Sequence, residues 1–112
     1  MEQRELYQHP RVYDVAAAFP KPLIAAIHGF YVGGGCELTL AADLRIAADN
    51  GRFGIPAARL GIVIGYGEMD RLTRLVGPGN ASYILLSGRI IDAGEALRIG
   101  LVNEVVPLGE LA

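Results

Sequence analysis

The sequence contains one cysteine, Cys36, so no disulfide can close within the chain and a reducing, cytoplasmic setting is the natural reading. It has no long apolar run. Its apolar stretches of about five to seven residues are broken by glycine, proline or charge, against the roughly 20 residues that a membrane helix needs. It has no excess of basic charge: ten Lys and Arg against twelve Asp and Glu give a net charge of −2, with no stripe for nucleic acid. The opening MEQRELYQHP carries charges and Pro10 where a signal peptide would be apolar, so none is expected. No paired-histidine, His/Cys or Asp-rich spacing suggests a metal, and no repeat or low-complexity tract stands out.

What the chain does have is apolar content and glycine. Of its 112 residues 52% are hydrophobic, its mean hydropathy is +0.34, and 15 are glycine, which suits one domain or part of one. The stretch that organises it is 22–49. Residues 23–27 form an apolar run too short for a helix and suited to a strand buried on both faces. Gly29, then Gly33, Gly34 and Gly35, remove every Cβ from the turn that follows, which frees the backbone for positive φ and close approach. From about Gly35, residues Cys36, Leu38, Leu40, Ala41 and Ala42 suit a largely apolar helix. A bare turn leading into free helix N–H groups can hold an anion or a developing oxyanion.

In the flanks, Val12, Val15, Ala16 and Phe19 recur at helical spacing before Pro20. Residues 45–48 read as a second buried strand, Asp49-Asn50-Gly51 as a turn, 52–56 as extended and 57–67 as a loop. Three helices follow. Residues 68–76 bring Met69, Leu72, Leu75 and Val76 to one face. Pro78 opens the next, which carries Ala81, Ile84 and Leu85 and stops at Ser87-Gly88. Asp92-Ala93-Gly94-Glu95 is a capping-box variant that starts the third, closed by Gly100. A last strand is expected over 102–106. Alternating short strands and helices predict an α/β architecture with parallel pairing. Few elements are available to cover both faces of such a sheet, so a fragment of a larger domain, or one completed by partners, is expected.

Five blocks closely resemble the crotonase (enoyl-CoA hydratase/isomerase) family. They are Lys21-Pro22-Leu-Ile-Ala-Ala-Ile-His-Gly; Gly33-Gly34-Gly35-Cys36-Glu37-Leu38 with Ala-Ala-Asp-Leu-Arg-Ile-Ala; Arg52-Phe53-Gly54-x-Pro56 with Leu60-Gly61-Ile62; Arg71-Leu72-x-Arg74-Leu75-Val76-Gly77; and Glu95-Ala96-Leu97-x-x-Gly100-Leu101-Val102-Asn103. The match runs over about 21–107. It divides the chain into an N-terminal helical segment, 1–20, and a crotonase-like core, 21–112, that is the C-terminal portion of the family domain. The resemblance implies a ββα superhelix that binds acyl-CoA thioesters, assembled as a homotrimer or hexamer and active in fatty acid metabolism. It implies no cofactor besides the coenzyme A of the substrate itself.

It also implies roles. The Gly34 N–H would polarise the thioester carbonyl, an effect worth roughly 3–4 kcal/mol in comparable oxyanion holes. The family's second donor belongs to an early small-residue loop, which nothing in 1–19 resembles. Substrate-binding positions fall on Val32, Gly33, Gly34, Pro56, Ala57 and Gly65. Hydratases of the family move protons with two glutamates. The first corresponds to Glu37, the candidate acid/base. The second falls on Ala57, whose methyl group neither accepts nor delivers a proton, so two-glutamate hydration is not supported. An aspartate site used by some relatives falls on Gly65 and is likewise empty.

Plainer readings stand beside these. The triple glycine could serve close packing, and Glu37 could be a structural carboxylate. Glu68 and Asp70 read as first-turn partners of a helix dipole, with Asp70 able to pair with Arg74. Tyr66 reads as a packed loop aromatic, His28 as a strand-end polar residue, Cys36 as a small buried hydrophobe, and His9 as uninformative. A non-catalytic or truncated relative is the alternative function. A dinucleotide-binding module fails because Leu38 stands where the last glycine of G-x-G-x-x-G would be.

Overall fold

The computed structural model describes residues 15, 17–32, 34–55 and 66–111. Its first two turns repeat one pattern. Strands β1 (Ile24–Ile27) and β2 (Phe30–Val32) lead into helix α1 (Gly34–Thr39); strands β3 (Leu44–Ala48) and β4 (Arg52–Gly54) come before helix α2 (Tyr66–Val76). Helix α3 (Pro78–Ser87), strand β5 (Ile91–Asp92), helix α4 (Ala93–Ile99), strand β6 (Glu104–Val106) and a 3-10 turn, Leu108–Glu110, complete the order.

Strands β1 to β4 alternate between two three-stranded sheets, β1-β3-β6 and β2-β4-β5; β5 stays in the second and β6 returns to the first. The first is parallel throughout, with Ile24 beside Leu44 and Ile46 beside Glu104. In the second, β2 and β4 run parallel with Val32 beside Gly54, while β4 and β5 are antiparallel. The corners stack as the strands do. Gly29, at φ +70°, donates its N–H to Asn50 Oδ1 at 3.1 Å and accepts from Arg52 N at 2.8 Å. Leu23 N donates to Asp43 Oδ2 at 2.8 Å, and Asp43 N returns a bond to Leu23 O. Each corner of one turn is therefore bonded to the same corner of the next.

The core lies between the sheets and the helices. Ile27, Leu40, Ala47, Phe53, Ile55 and Leu72 are fully or almost fully buried, joined by Val76, Ala81, Ile84, Ala96 and Leu101. Burying one side chain of the size of Leu or Ile is worth about 1.5–3 kcal/mol. Helix ends follow the punctuation in the sequence. Pro78 lies in the first turn of α3, and Gly88 closes it in the left-handed conformation. Asp92 Oδ1 caps α4 by accepting from Glu95 N at 2.8 Å. The Glu95 carboxylate accepts from Arg98.

The structure corrects several expectations. The first strand is not buried on both faces: only Ile27 is buried, and Ile24 is 63% exposed. Both β1 and β2 are edge strands, and no described element covers the face that carries Ile24 and the 74%-exposed Phe30. The helix expected to reach Ala42 stops at Thr39. From there Ala41 N and Ala42 N turn back to Leu38 O and Thr39 O in tight i to i+3 bonds. Tyr66 and Gly67, read as loop, are helical. The last strand begins at Glu104 because Leu101 N and Val102 N are spent on Ala96 O, closing α4. The two-residue β5 was not foreseen. Of the segment 11–19, Val15 and Ala17 are helical, and residues 11–14 and 16 lie outside the described residues.

Candidate functional site

Parallel register brings the two sequence blocks of the expected site to one end of the second sheet. Val32 ends β2 directly beside Gly54, the end of β4, and both strands run the same way. The chain leaves β2 and enters α1 with Gly34 as the first helical residue. It leaves β4 through Ile55, which is buried beside that exit. Glu37 lies within α1. Gly33, Pro56, Ala57 and Gly65 lie outside the described residues. The sequence therefore placed a helix start one residue late, and placed correctly the junction of an apolar strand with a bare-backbone helix entry.

Side-chain hydrogen bonds gather on the last residues of the six-residue α1 and on the turn after it. Thr39 Oγ1 donates to Cys36 O at 2.8 Å. Arg71 Nε, reaching across from α2, donates to Leu40 O at 3.0 Å and its NH2 to Ala42 O at 3.3 Å. Arg45 from β3 donates through NH1 to Ala42 O at 2.6 Å and through Nε to Leu101 O at 2.7 Å. Arg45 is only 2% exposed. Burial lowers its pKa from the ordinary arginine value; the like charge of Arg71 lowers it further, and Asp43 partly offsets both. Asn103 fixes the strand on which it rides, accepting from Arg45 N and donating to Arg45 O, each at 2.8 Å. Sequence reasoning read Arg45 only as part of a buried strand. A charged residue within an apolar run was the signal that carbonyl partners had to be nearby.

Other candidates fall as follows. Cys36 is buried, as a small hydrophobe would be. Asp70 and Arg74 form the expected pair at 3.0 Å on the exposed side of α2. Glu68 stands in the first turn of α2, as expected of a dipole partner, and is 5% exposed. His28 is exposed just past β1. A concavity of about 740 Å³ lies elsewhere, lined among others by Arg52, Tyr83, Arg89, Asp92 and Arg98, and contains none of the expected site residues. Among the described residues no group of three or more His, Cys, Asp and Glu could hold a metal ion, and no helix is long and apolar enough to cross a membrane.

Known proteins share this arrangement. The family model described as enoyl-CoA hydratase/isomerase matches residues 3–112. The chain is 52% identical over 101 residues to a crotonyl-CoA hydratase of Syntrophomonas wolfei, covering 90% of this chain and 39% of that protein. It is 54% identical over 101 residues to a short-chain-enoyl-CoA hydratase of Clostridium acetobutylicum, with the same coverage. A crystal structure of an enoyl-CoA hydratase/carnithine racemase from Magnetospirillum magneticum superposes with a TM-score of 0.87 at 42% identity, covering 99% of this chain and 42% of that one. The chain thus spans about two fifths of the length of the relatives it matches. Matched along nearly its whole length in sequence and in strand–strand–helix architecture, the chain belongs to the enoyl-CoA hydratase/isomerase family and is folded as a partial crotonase-like domain.

Proposed function

We propose that the chain is the acyl-CoA-binding portion of an enzyme in which a backbone oxyanion hole stabilises an enolate. One observation carries this reading: β2 opens into α1 at Gly34, beside the exit of β4, so the family's glycine and proline blocks emerge together. In this reading the Gly34 N–H donates to the thioester oxygen and Glu37 is the acid/base. Val32, Gly33, Pro56, Ala57 and Gly65 line the acyl group. Ala57 cannot relay a proton, so the reading favours an enolate reaction needing one carboxylate over two-glutamate hydration. Coenzyme A enters as part of the substrate and no further cofactor is required. A cytoplasmic homotrimer or hexamer is the expected assembly, with neither nucleic acid nor membrane as partner.

Gly34→Pro tests the role of the amide, since proline is tolerated at the first helical position and replaces the amide hydrogen with a ring carbon that cannot donate. With a panel of acyl- and enoyl-CoAs, the chain should bind and turn over at least one member. The variant should lose about a hundredfold or more in kcat, in line with roughly 3 kcal/mol for one oxyanion donor. No turnover and no binding of any CoA ester would overturn the proposal. A second reading, a non-catalytic member of the family, is favoured by Ala57 standing where the second glutamate would be. Binding without turnover of any ester would select it.

A further inference from the structure

The turn that follows α1 is held by side chains from two other elements. The helix is six residues long, about 9 Å from end to end, so it moves as one short rod. Its exit, 40–42, is where two arginines from two different elements converge. Arg71 bridges Leu40 O and Ala42 O; Arg45 ties Ala42 O to Leu101 O, the residue just past α4. Ala42 O accepts from both guanidiniums, and neither takes part in an ion pair among the described residues. Placing two like charges on the same carbonyl is costly, and apolar residues could have filled the same volume. What carbonyl-bound guanidiniums supply that apolar packing does not is direction: rigid forks that fix both the axial position and the rotation of the peptide they hold.

We propose that Arg45 and Arg71 are positioning residues that set where the Gly34 amide points. This inference rests on the reading of Gly34 as the oxyanion donor. A shift of the turn at 40–42 moves the short rod that runs into it, and a donor displaced from the developing oxyanion loses much of its effect. Arg71 is the informative one to change. It is half-buried, and Ala42 O keeps its bond from Arg45 when Arg71 is replaced, whereas truncating Arg45 would leave the carbonyl of Leu101 without that donor.

The test compares wild type, Arg71→Met, Arg71→Lys and Arg45→Lys as 112-residue chains. Thermal unfolding, kcat and KM for the ester of the panel that turns over, and the infrared stretch of its bound thioester carbonyl are measured for each. Wild type should shift that stretch to lower frequency than in the free ester. Arg71→Met should return it part-way to the free value, with kcat falling about tenfold and KM changing less than twofold, about 1.4 kcal/mol in the transition state alone. Arg71→Lys, which keeps charge but not the two-point hold, should fall between. Should Arg71→Met fail to fold, the two lysine variants carry the comparison. Variants that melt earlier yet keep the wild-type carbonyl stretch and kcat would reduce the arginines to structural braces and overturn the proposal. An unshifted stretch in wild type would instead refute the Gly34 reading, and the positioning role would fall with it.

Discussion

Gly100 closes α4 at φ +92°, and an added Cβ there would lie 2.8 Å from the backbone oxygen of Leu75 in α2. Alanine at this position meets two separate penalties. A left-handed conformation costs an L-residue about 1–2 kcal/mol, of which about 0.4–1 kcal/mol is returned because alanine has fewer unfolded conformers than glycine. The contact adds a second term. Leu75 O belongs to a helix backbone and cannot swing aside as a side chain would, so α2 and α4 must separate, at about 1–3 kcal/mol. Gly29 separates the two terms: its φ is +70°, but a Cβ there meets nothing within 4 Å. Gly29→Ala should therefore cost about 1 kcal/mol and Gly100→Ala about 3 kcal/mol. At about 4 °C per kcal/mol for a chain of this size, the melting points should fall by roughly 4 °C and 12 °C. Urea unfolding followed by circular dichroism reads both variants on one scale. Equal losses would show that the α4–α2 contact contributes nothing and that only the backbone conformation matters.

Two further outcomes follow from the helix ends. Asp92→Ala removes the acceptor for Glu95 N and should cost about 1 kcal/mol in the same urea assay, with Asp92→Asn or Asp92→Ser restoring most of it. The hydrogen bond from Arg98 holds the Glu95 carboxyl below its usual range, helped by the charges of Arg98 and Arg89. Because the folded-state pKa is depressed, its contribution is present at neutral pH and is lost as the pH falls through that lowered value. Glu95→Gln should flatten the acid limb of the urea midpoint against pH, and 1 M salt should shrink the difference, since the pair is exposed.

Local chemistry made much of this fold readable. Pro78, Gly88, Asp92 and Gly100 each act within one helical turn, and each stands where its backbone preference requires. The apolar periods of 68–76 and 78–87 brought Leu72, Val76, Ala81 and Ile84 to the core; Met69 instead faces solvent, because the apolar face is narrower than the count of apolar residues implied. What sequence could not supply was long-range. Two residues of β5 are too few to carry a period, and their antiparallel pairing depends on the path of the whole chain. The burial of Arg45 depends in part on a carbonyl that is distant in sequence, that of Leu101. At the candidate site the glycine run marked the helix entry to within one residue, because missing side chains are visible in a sequence. The neighbour that Gly54 makes of Val32 is a matter of register and was not.

The exposed pair of edges, β1 and β2, gives the coil an unfinished end. Among the described residues no strand pairs with its outer side, beside Ile24 and Phe30, so it presents the same template on which β3 and β4 have already built. Solenoid-like stacks grow where such a template meets a strand of matching direction. In a concentrated solution of the chain alone, that end is where head-to-head association would begin, and charged residues in place of Ile24 and Phe30 would be the first remedy to try.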